Sequence, residues 1–246
     1  MSKLENKVAL VTGGSRGIGA AIAKRLAAEG ASVAITYSAG QQKADEVVRS
    51  IKSAGGHALA IHADKIDAAA VKSAVTETVK KLGRLDVLVN NAGIAAFKPL
   101  EEFTIEDFDR SVAVNVRAVF VAAQEAARHM PDGGRIITIG STNAERMPFA
   151  GGSVYGMTKA AVAGLTRGLA RDLGPRNITV NTVQPGPVET DMNPATGPFA
   201  ETLKSFLALK RYATGDEIAG MVAYLASPEA AFVTGASLTI DGGFAA

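Results

Sequence analysis

Short runs rich in β-branched residues recur along the chain, separated by Ala-rich stretches whose apolar positions fall at helical spacing. The apolar runs are Val8 to Thr12, Ser32 to Tyr37, Ala58 to His62, Val87 to Asn90, Arg135 to Ile139, Ile178 to Val183 and Ser237 to Ile240. They are continuously apolar rather than alternating, which predicts strands covered by helices on both faces. Helices are expected over Gly17 to Glu29, Gln42 to Ala54, Ala68 to Leu82, Thr104 to His129, Val154 to Leu173 and Asp216 to Ala226. Strict strand–helix alternation predicts a doubly wound, seven-stranded parallel sheet with helices on both faces. No linker, charge block or solenoid repeat divides the pattern, so residues 1–246 are expected to form one domain. The exception is Pro185 to Arg211, broken by Pro185, Pro187, Pro194, Pro198, Gly186 and Gly197. A stretch this long without periodicity predicts a functional segment, a lid over a site at about 187–211.

Composition narrows the possibilities. The 246 residues are 47% hydrophobic and carry 26 Lys+Arg against 24 Asp+Glu, which gives no electrostatic reason to expect a nucleic-acid polymer or an anionic membrane as partner. There is no cysteine, which excludes a thiol nucleophile, a thiolate metal site and a disulfide. Metal ligands would have to come from His57, His62 and His129, which fit surface or core roles better, so no metal is expected. The N-terminal apolar run is too short for a signal peptide and no later stretch is long enough to span a bilayer. A soluble, cytoplasmic protein is the expectation.

Polar and glycine residues gather where the strands should end: Thr12-Gly13-Gly14, Ala63-Asp64, Asn90-Asn91-Ala92-Gly93, Gly140-Ser141-Thr142 and Gln184-Pro185-Gly186. Open α/β sheets bind ligands along that edge. The run Thr12-Gly13-Gly14-Ser15-Arg16-Gly17-Ile18-Gly19 follows the first strand and opens the first helix, where glycines and unpaired N–H groups suit a pyrophosphate. An NAD ribose would call for an acid at the end of the second strand. That end is instead Thr36-Tyr37-Ser38, with no carboxylate until Asp45, while Arg16 is placed to pair with a 2′-phosphate. The expected cofactor is NADP(H), with Gly13, Ser15, Arg16, Gly17, Ile18, Gly19, Tyr37 and Ser38 on its side of the site.

Tyr155 and Lys159 stand four apart and share a helix face. A phenol, with an ordinary pKa of about 10, becomes a usable general acid beside an ammonium that favours the phenolate. Ser141 could donate to a developing oxyanion; as a turn residue it would do nothing. The helix from Thr104 is expected to start with Thr104 as N-cap, Asp107 at the third position and a Phe103–Phe108 staple. Its apolar stripe runs Phe108, Val112, Val116, Val119, Phe120, Ala123, and Asn115 falls on it. A buried amide there needs a partner, either backbone or water, and its role is structural or catalytic.

Taken together, Thr12-Gly13-x-x-x-Gly17-x-Gly19, Asn90-Asn91-Ala92-Gly93, Asn115, Ser141, Tyr155-x-x-x-Lys159, Pro185-Gly186 and Thr239-Ile240-Asp241-Gly242-Gly243 resemble the short-chain dehydrogenase/reductase family over essentially the whole chain. The resemblance implies a Rossmann fold and hydride transfer between NADPH and a carbonyl carbon. It implies that Tyr155 protonates the alkoxide, Ser141 holds the carbonyl oxygen, Lys159 binds the nicotinamide ribose and lowers the Tyr155 pKa, and Asn115 holds a relay water. Asp64 would meet the adenine, Asn91, Ala92 and Gly93 would line the ribose, and Pro185, Gly186, Val188 and Thr190 would meet the nicotinamide. It also implies a homotetramer, with a dimer second; Ala160, Ala161, Ala163 and Gly164 would let another helix approach.

Two departures from the family pattern stand out. Ser141 lies fourteen residues before Tyr155 where many members have thirteen, which leaves Thr142 as a competing hydroxyl, and Lys65 replaces an apolar residue beside Asp64. Residues 140–148 and 184–198 are most similar to members that reduce 3-oxoacyl carrier-protein thioesters and to a member linked to cyclic di-GMP binding. The expected activity is reduction of a 3-oxoacyl thioester or a small or medium ketone; the alternative is a nucleotide-binding regulator. Met192, Phe199, Leu203, Phe206 and Leu207 could line an apolar pocket or pack a helix on the core, and Lys210 or Arg211 could meet an anionic carrier.

Overall fold

The computed structural model describes residues 2–246. One sheet of seven parallel strands has the order β3-β2-β1-β4-β5-β6-β7. The strands are β1 (Val8–Val11), β2 (Ser32–Tyr37), β3 (His57–His62), β4 (Val87–Asn90), β5 (Arg135–Ile139), β6 (Thr179–Pro185) and β7 (Ser237–Ile240). Every residue of β1 and β4 is buried, as continuous apolar runs require when helices cover both faces. On one face α1 (Gly17–Ala28), α2 (Gln41–Ser53) and α8 (Gly215–Ala226) pack around Val11, Ile22, Ile35 and Val222. On the other, α3 (Ala68–Leu82), α5 (Ala118–His129) and α6 (Ser153–Leu173) close over Leu10, Leu88, Ile136 and Val180. The strand order reverses between β1 and β4, and there the cleft opens.

The helix expected over Thr104 to His129 is two helices. The capping box of Thr104 and Asp107 starts α4 (Ile105–Val112) as the sequence indicates. Residues Ala113–Arg117 then form a π turn before α5, Ala118 N–H donating to Ala113 C=O five residues back. The inserted residue rotates the stripe, so Ala113, Val114, Asn115 and Val119 are buried whereas Phe108 and Phe120 face outward. The expectation of those two phenylalanines on the buried stripe is therefore corrected. Strand β6 also extends beyond Val183 to Pro185, because β7 pairs alongside Gln184 and Pro185; a proline at a strand end forfeits a single donor.

The 187–211 segment carries a further short helix, α7 (Ala200–Phe206). Ala200 and Leu207 pack against Tyr212 and Phe244, with Leu203 and Phe206 alongside. Arg146, from the loop after β5, donates to the Phe244 carbonyl and lies over the rings of Phe206 and Phe244. The segment returns to the body through a bridge from Val188 to Ala213.

Edge strand β7 is fastened by Asn181 of β6, fully buried, whose Nδ2 donates to Val233 C=O at 2.7 Å while its Oδ1 accepts from Ala236 N–H at 3.1 Å. Asn181→Leu leaves both backbone groups unpaired, and urea denaturation should show a loss of about 2 kcal/mol or more.

Candidate active site

The cleft at the β1/β4 junction encloses about 660 Å³, within the range of small-molecule sites. Its floor is the glycine loop. Gly13 and Gly17 sit in the left-handed region, at φ of 66° and 53°, which glycine alone adopts without strain. Gly19 is needed for another reason: a Cβ there would collide with Asn91 Nδ2 and the Gly13 carbonyl. Asn91 Nδ2 donates to the carbonyls of Thr12 (2.9 Å) and Gly13 (3.0 Å), and Thr12 Oγ1 accepts from the N–H groups of Asn91 (3.0 Å) and Ala92 (3.1 Å). Helix α1 begins without a side-chain cap, so its first N–H groups remain available to a phosphate.

At the outer end of the cleft, beyond β2 and β3, Ser38 donates its hydroxyl to Ala63 C=O at 3.0 Å and accepts from Lys65 N–H at 3.3 Å. Its single proton is already committed, so charge recognition at this end falls to cations. Burial and the neighbouring Arg16 and Arg110 guanidiniums pull the Lys65 pKa down, against a weaker opposing pull from Asp64. Arg16, Lys65 and Arg110 all line the cleft. None of the three is ion-paired among the described residues. Asp191, the other wall carboxylate, is taken by Lys43 at 2.7 Å.

At the inner end stand Ser141, Tyr155 and Lys159. Ser141 caps a single turn after β5, its Oγ accepting from Asn143 N–H at 3.1 Å. Thr142 points the other way, donating to the Pro185 carbonyl at 3.2 Å, and is off the cleft wall. Of the two hydroxyls, Ser141 is the one on the cleft wall. Burial pushes the Tyr155 phenol up, and hydrogen bonding with Ser141 partly offsets it. Lys159, 8% exposed, is lowered by burial to about 8 and donates to Ile139 C=O at 2.9 Å, with Nζ 5.7 Å from the Tyr155 ring centre. The sequence suggests a lysine depressing the phenol; this structure has the phenol raised and the lysine depressed, because both are desolvated and the ammonium is turned onto a carbonyl.

Gly13, Ser15, Arg16, Gly17, Ile18, Gly19, Tyr37, Ser38, Asp64, Asn91, Ala92, Gly93, Ser141, Tyr155, Lys159, Pro185, Gly186, Val188 and Thr190 all line this one cleft. Asn115 does not. It lies behind the wall, with Oδ1 accepting from Ile94 N–H at 2.9 Å and Nδ2 donating to Ile94 C=O at 2.9 Å and Thr158 Oγ1 at 3.1 Å. Of Met192, Phe199, Leu203, Phe206 and Leu207, the apolar residues expected to line a pocket, Met192 and Leu203 reach the cleft. Neither cation proposed for a carrier is free: Arg211 grips Glu217 at 2.9 and 2.7 Å, and Lys210 Nζ donates to Ser205 C=O. Sequence reasoning missed Phe97, Arg110 and Phe149 on the wall; the place of Phe97, four residues past Gly93, was the available signal.

A glycine cradle at an uncapped helix start, an outer end where three unpaired cations gather, and Ser141, Tyr155 and Lys159 together on one wall define a dinucleotide-dependent oxidoreductase. The family model described as enoyl-(acyl carrier protein) reductase matches residues 13–245. The chain is similar to a short-chain dehydrogenase/reductase from Serratia marcescens, 62% identical with a TM-score of 0.98, covering 99% of this chain and 100% of that one. A short-chain dehydrogenase from Burkholderia cenocepacia, solved in complex with NADP, is 53% identical with a TM-score of 0.98 over 99% and 100% of the two chains. The cyclic-di-GMP-binding biofilm dispersal mediator protein of Escherichia coli is 49% identical over 100% of both chains. The chain belongs to the short-chain dehydrogenase/reductase family. It is an NADP-dependent member.

Arg16→Ala should raise the Kd for NADPH on the order of tenfold to a hundredfold, the worth of a charge-assisted bond. The Kd for NADH should stay nearly constant; fluorescence titration of both cofactors measures the difference.

Proposed function

We propose that the chain reduces a ketone to a secondary alcohol with NADPH, Tyr155 acting as general acid. The observation that supports this most is the convergence of Ser141, Tyr155 and Lys159 on one wall of the cleft, where burial pushes the phenol pKa up. Arg16 and the start of α1 would hold the phosphates, Asp64 the adenine, Asn91, Ala92 and Gly93 the ribose, Lys159 the nicotinamide ribose, and Pro185, Gly186, Val188 and Thr190 the nicotinamide. Bound NADPH supplies a hydride to the carbonyl carbon. Ser141 donates to the carbonyl oxygen and Tyr155 passes its proton to that oxygen as it becomes an alkoxide. Lys159 returns a proton to Tyr155. A side chain at Gly93 would come 3.4 Å from Asn115 Oδ1 and 3.8 Å from Lys159 Nζ. The glycine therefore leaves a methyl-sized space between the two, in which a relay water would sit. Asn115 is otherwise a positioning residue, joining the Ile94 peptide to Thr158 on α6.

The 187–211 segment would act as the lid. A second reading, a cyclic di-GMP-binding regulator, draws on the name of the Escherichia coli relative and on the unpaired Arg16, Lys65 and Arg110. Saturable cyclic di-GMP binding that NADPH does not displace would favour it. No helix among the described residues is long and apolar enough to cross a membrane, and we place the enzyme in the cytoplasm. We also infer a homotetramer, with a dimer second: Phe108, Phe120 and Met157 are exposed together with Ala160 and Ala161, whereas Ala163 faces the core.

Tyr155→Phe should keep NADPH affinity and lose turnover by on the order of a hundredfold or more; loss of NADPH binding with it, or unchanged turnover, contradicts the role. The wild-type rate of ketone reduction should fall above about pH 8, where Lys159 loses the proton it returns, while Tyr155, titrating higher, stays protonated. A pH–rate profile of Lys159→Met should be slower and lack that inflection. Phe120→Glu should shift the mass seen by light scattering to a smaller species.

A further inference from the structure

The inner half of the cleft has a wall that the proton chemistry leaves unexplained. Phe97 packs against Tyr155 with ring centres 5.3 Å apart at 53°, and against Phe149 at 5.7 Å and 61°. Although they line the cleft, Phe97 and Phe149 remain 47% and 37% exposed, so ring edges and faces stay open toward the reacting end. Met192 and Leu203 of the 187–211 segment contribute further apolar lining.

The aromatic wall is anchored. Lys98 N–H donates to Gly151 C=O at 3.1 Å, and Lys98 Nζ pairs with Asp107 at the start of α4. Gly152 lies under the Phe97 ring, where an added Cβ would come 3.2 Å from Phe97 Cε1. The two segments bearing Phe97 and Phe149 are thus tied to each other and to the α4 N-terminus before any ligand arrives.

Charge is distributed unevenly along the cleft. Its lining cations are Arg16, Lys65, Arg110 and Lys159. The first three act on one another at the outer end beside Asp64, and the fourth is turned onto Ile139 C=O. Arg146, behind Phe244, is occupied by that residue's carbonyl and by two rings. Arg211 and Lys210 are occupied as well. The uncharged polar side chains on this part of the wall are the Ser141 hydroxyl, Asn143, whose amide donates weakly to Met147 Sδ, and Asn193, whose amide donates to Val188 C=O and accepts from the Tyr212 hydroxyl. Nothing there would hold a carboxylate, a phosphate or the several hydroxyls of a sugar.

Resting on the reductase reading, we propose that the substrate is an uncharged aryl ketone, its ring seated against Phe97 and Phe149 and its carbonyl at Ser141 and Tyr155. Tilted and edge-on arrangements of rings are favoured beyond the area they bury. A flat π-face therefore gains at this wall what a saturated ring of equal size does not. The anchored rings also lose little freedom on binding, which favours a flat, stiff ligand over a flexible acyl chain.

The test compares acetophenone with cyclohexyl methyl ketone, and both with acetoacetyl-CoA as the anionic thioester, using NADPH with wild type, Phe97→Leu and Phe97→Tyr. The aryl-to-cyclohexyl ratio of kcat/KM, in which the intrinsic reactivity of each ketone cancels between variants, should fall about tenfold in Phe97→Leu. Phe97→Tyr, which keeps the ring, should restore it. A ratio unchanged in Phe97→Leu, or acetoacetyl-CoA outperforming the aryl ketone, overturns the proposal while leaving a Tyr155-dependent reductase standing. Should no ketone turn over, the reductase reading fails separately. Calorimetry of 1-phenylethanol against 1-cyclohexylethanol on the NADPH complex then still decides the aryl preference, equal affinities being the contrary result.

Discussion

Two loops that leave the sheet in opposite directions must be held together where β1 and β4 part, and the rest of the cleft depends on that join. Asn91 and Thr12 make it with four hydrogen bonds of 2.9 to 3.1 Å. The join works only because position 19 has no side chain, since a Cβ would displace the Asn91 amide and the Gly13 carbonyl. The same glycine that allows a helix to start close to the sheet thus fixes the loop after β4. That loop carries Gly93 and Ile94 to Asn115, which holds Ile94 at both its N–H and its carbonyl. Through Thr158 the brace reaches the helix bearing Tyr155 and Lys159. A line of hydrogen bonds therefore runs from the glycine loop to the helix of Tyr155 and Lys159.

Desolvation shapes the chemistry at the end of that line. Burial raises the phenol and lowers the ammonium, because each loses water around its charged form. The result is a protonated acid at neutral pH backed by an amine that titrates near it, an arrangement suited to delivering a proton and being recharged. The outer end has the opposite character: three cations gather with little carboxylate compensation, as a ligand carrying several phosphate charges requires. The cleft is polarised, with charge recognition at one end and a neutral, aromatic surface at the other.

Much of this was legible in the residues. Continuous apolar runs such as Val87 to Asn90 marked strands buried on both faces, and Gly13, Ser15, Arg16, Gly17, Ile18 and Gly19 of the glycine loop line the cleft. The capping box at Thr104 was equally local and equally readable. What escaped were features created by tertiary contact. The π turn at Ala113–Arg117 has no local signal, since it arises where Asn115 meets the Ile94 peptide, and it reversed the facing of Phe108 and Phe120. The direction of the Tyr155 shift depends on where the Lys159 ammonium points, which a spacing of four residues does not specify. Phe97 and Phe149 lie in loops, where periodicity is silent, and only the contacts of Phe97 with Tyr155 and with Phe149 reveal them.

The measurement that bears most directly on the account is the fate of the hydride. With NADPH deuterated at the transferable nicotinamide C4 position and an aryl ketone, mass spectrometry of the product should find deuterium on the carbinol carbon for the wild-type protein. It should find none above background for Tyr155→Phe loaded equally with cofactor. Label that reaches no ketone while NADPH is bound, or that transfers equally in the variant, would contradict hydride transfer with Tyr155 as the acid.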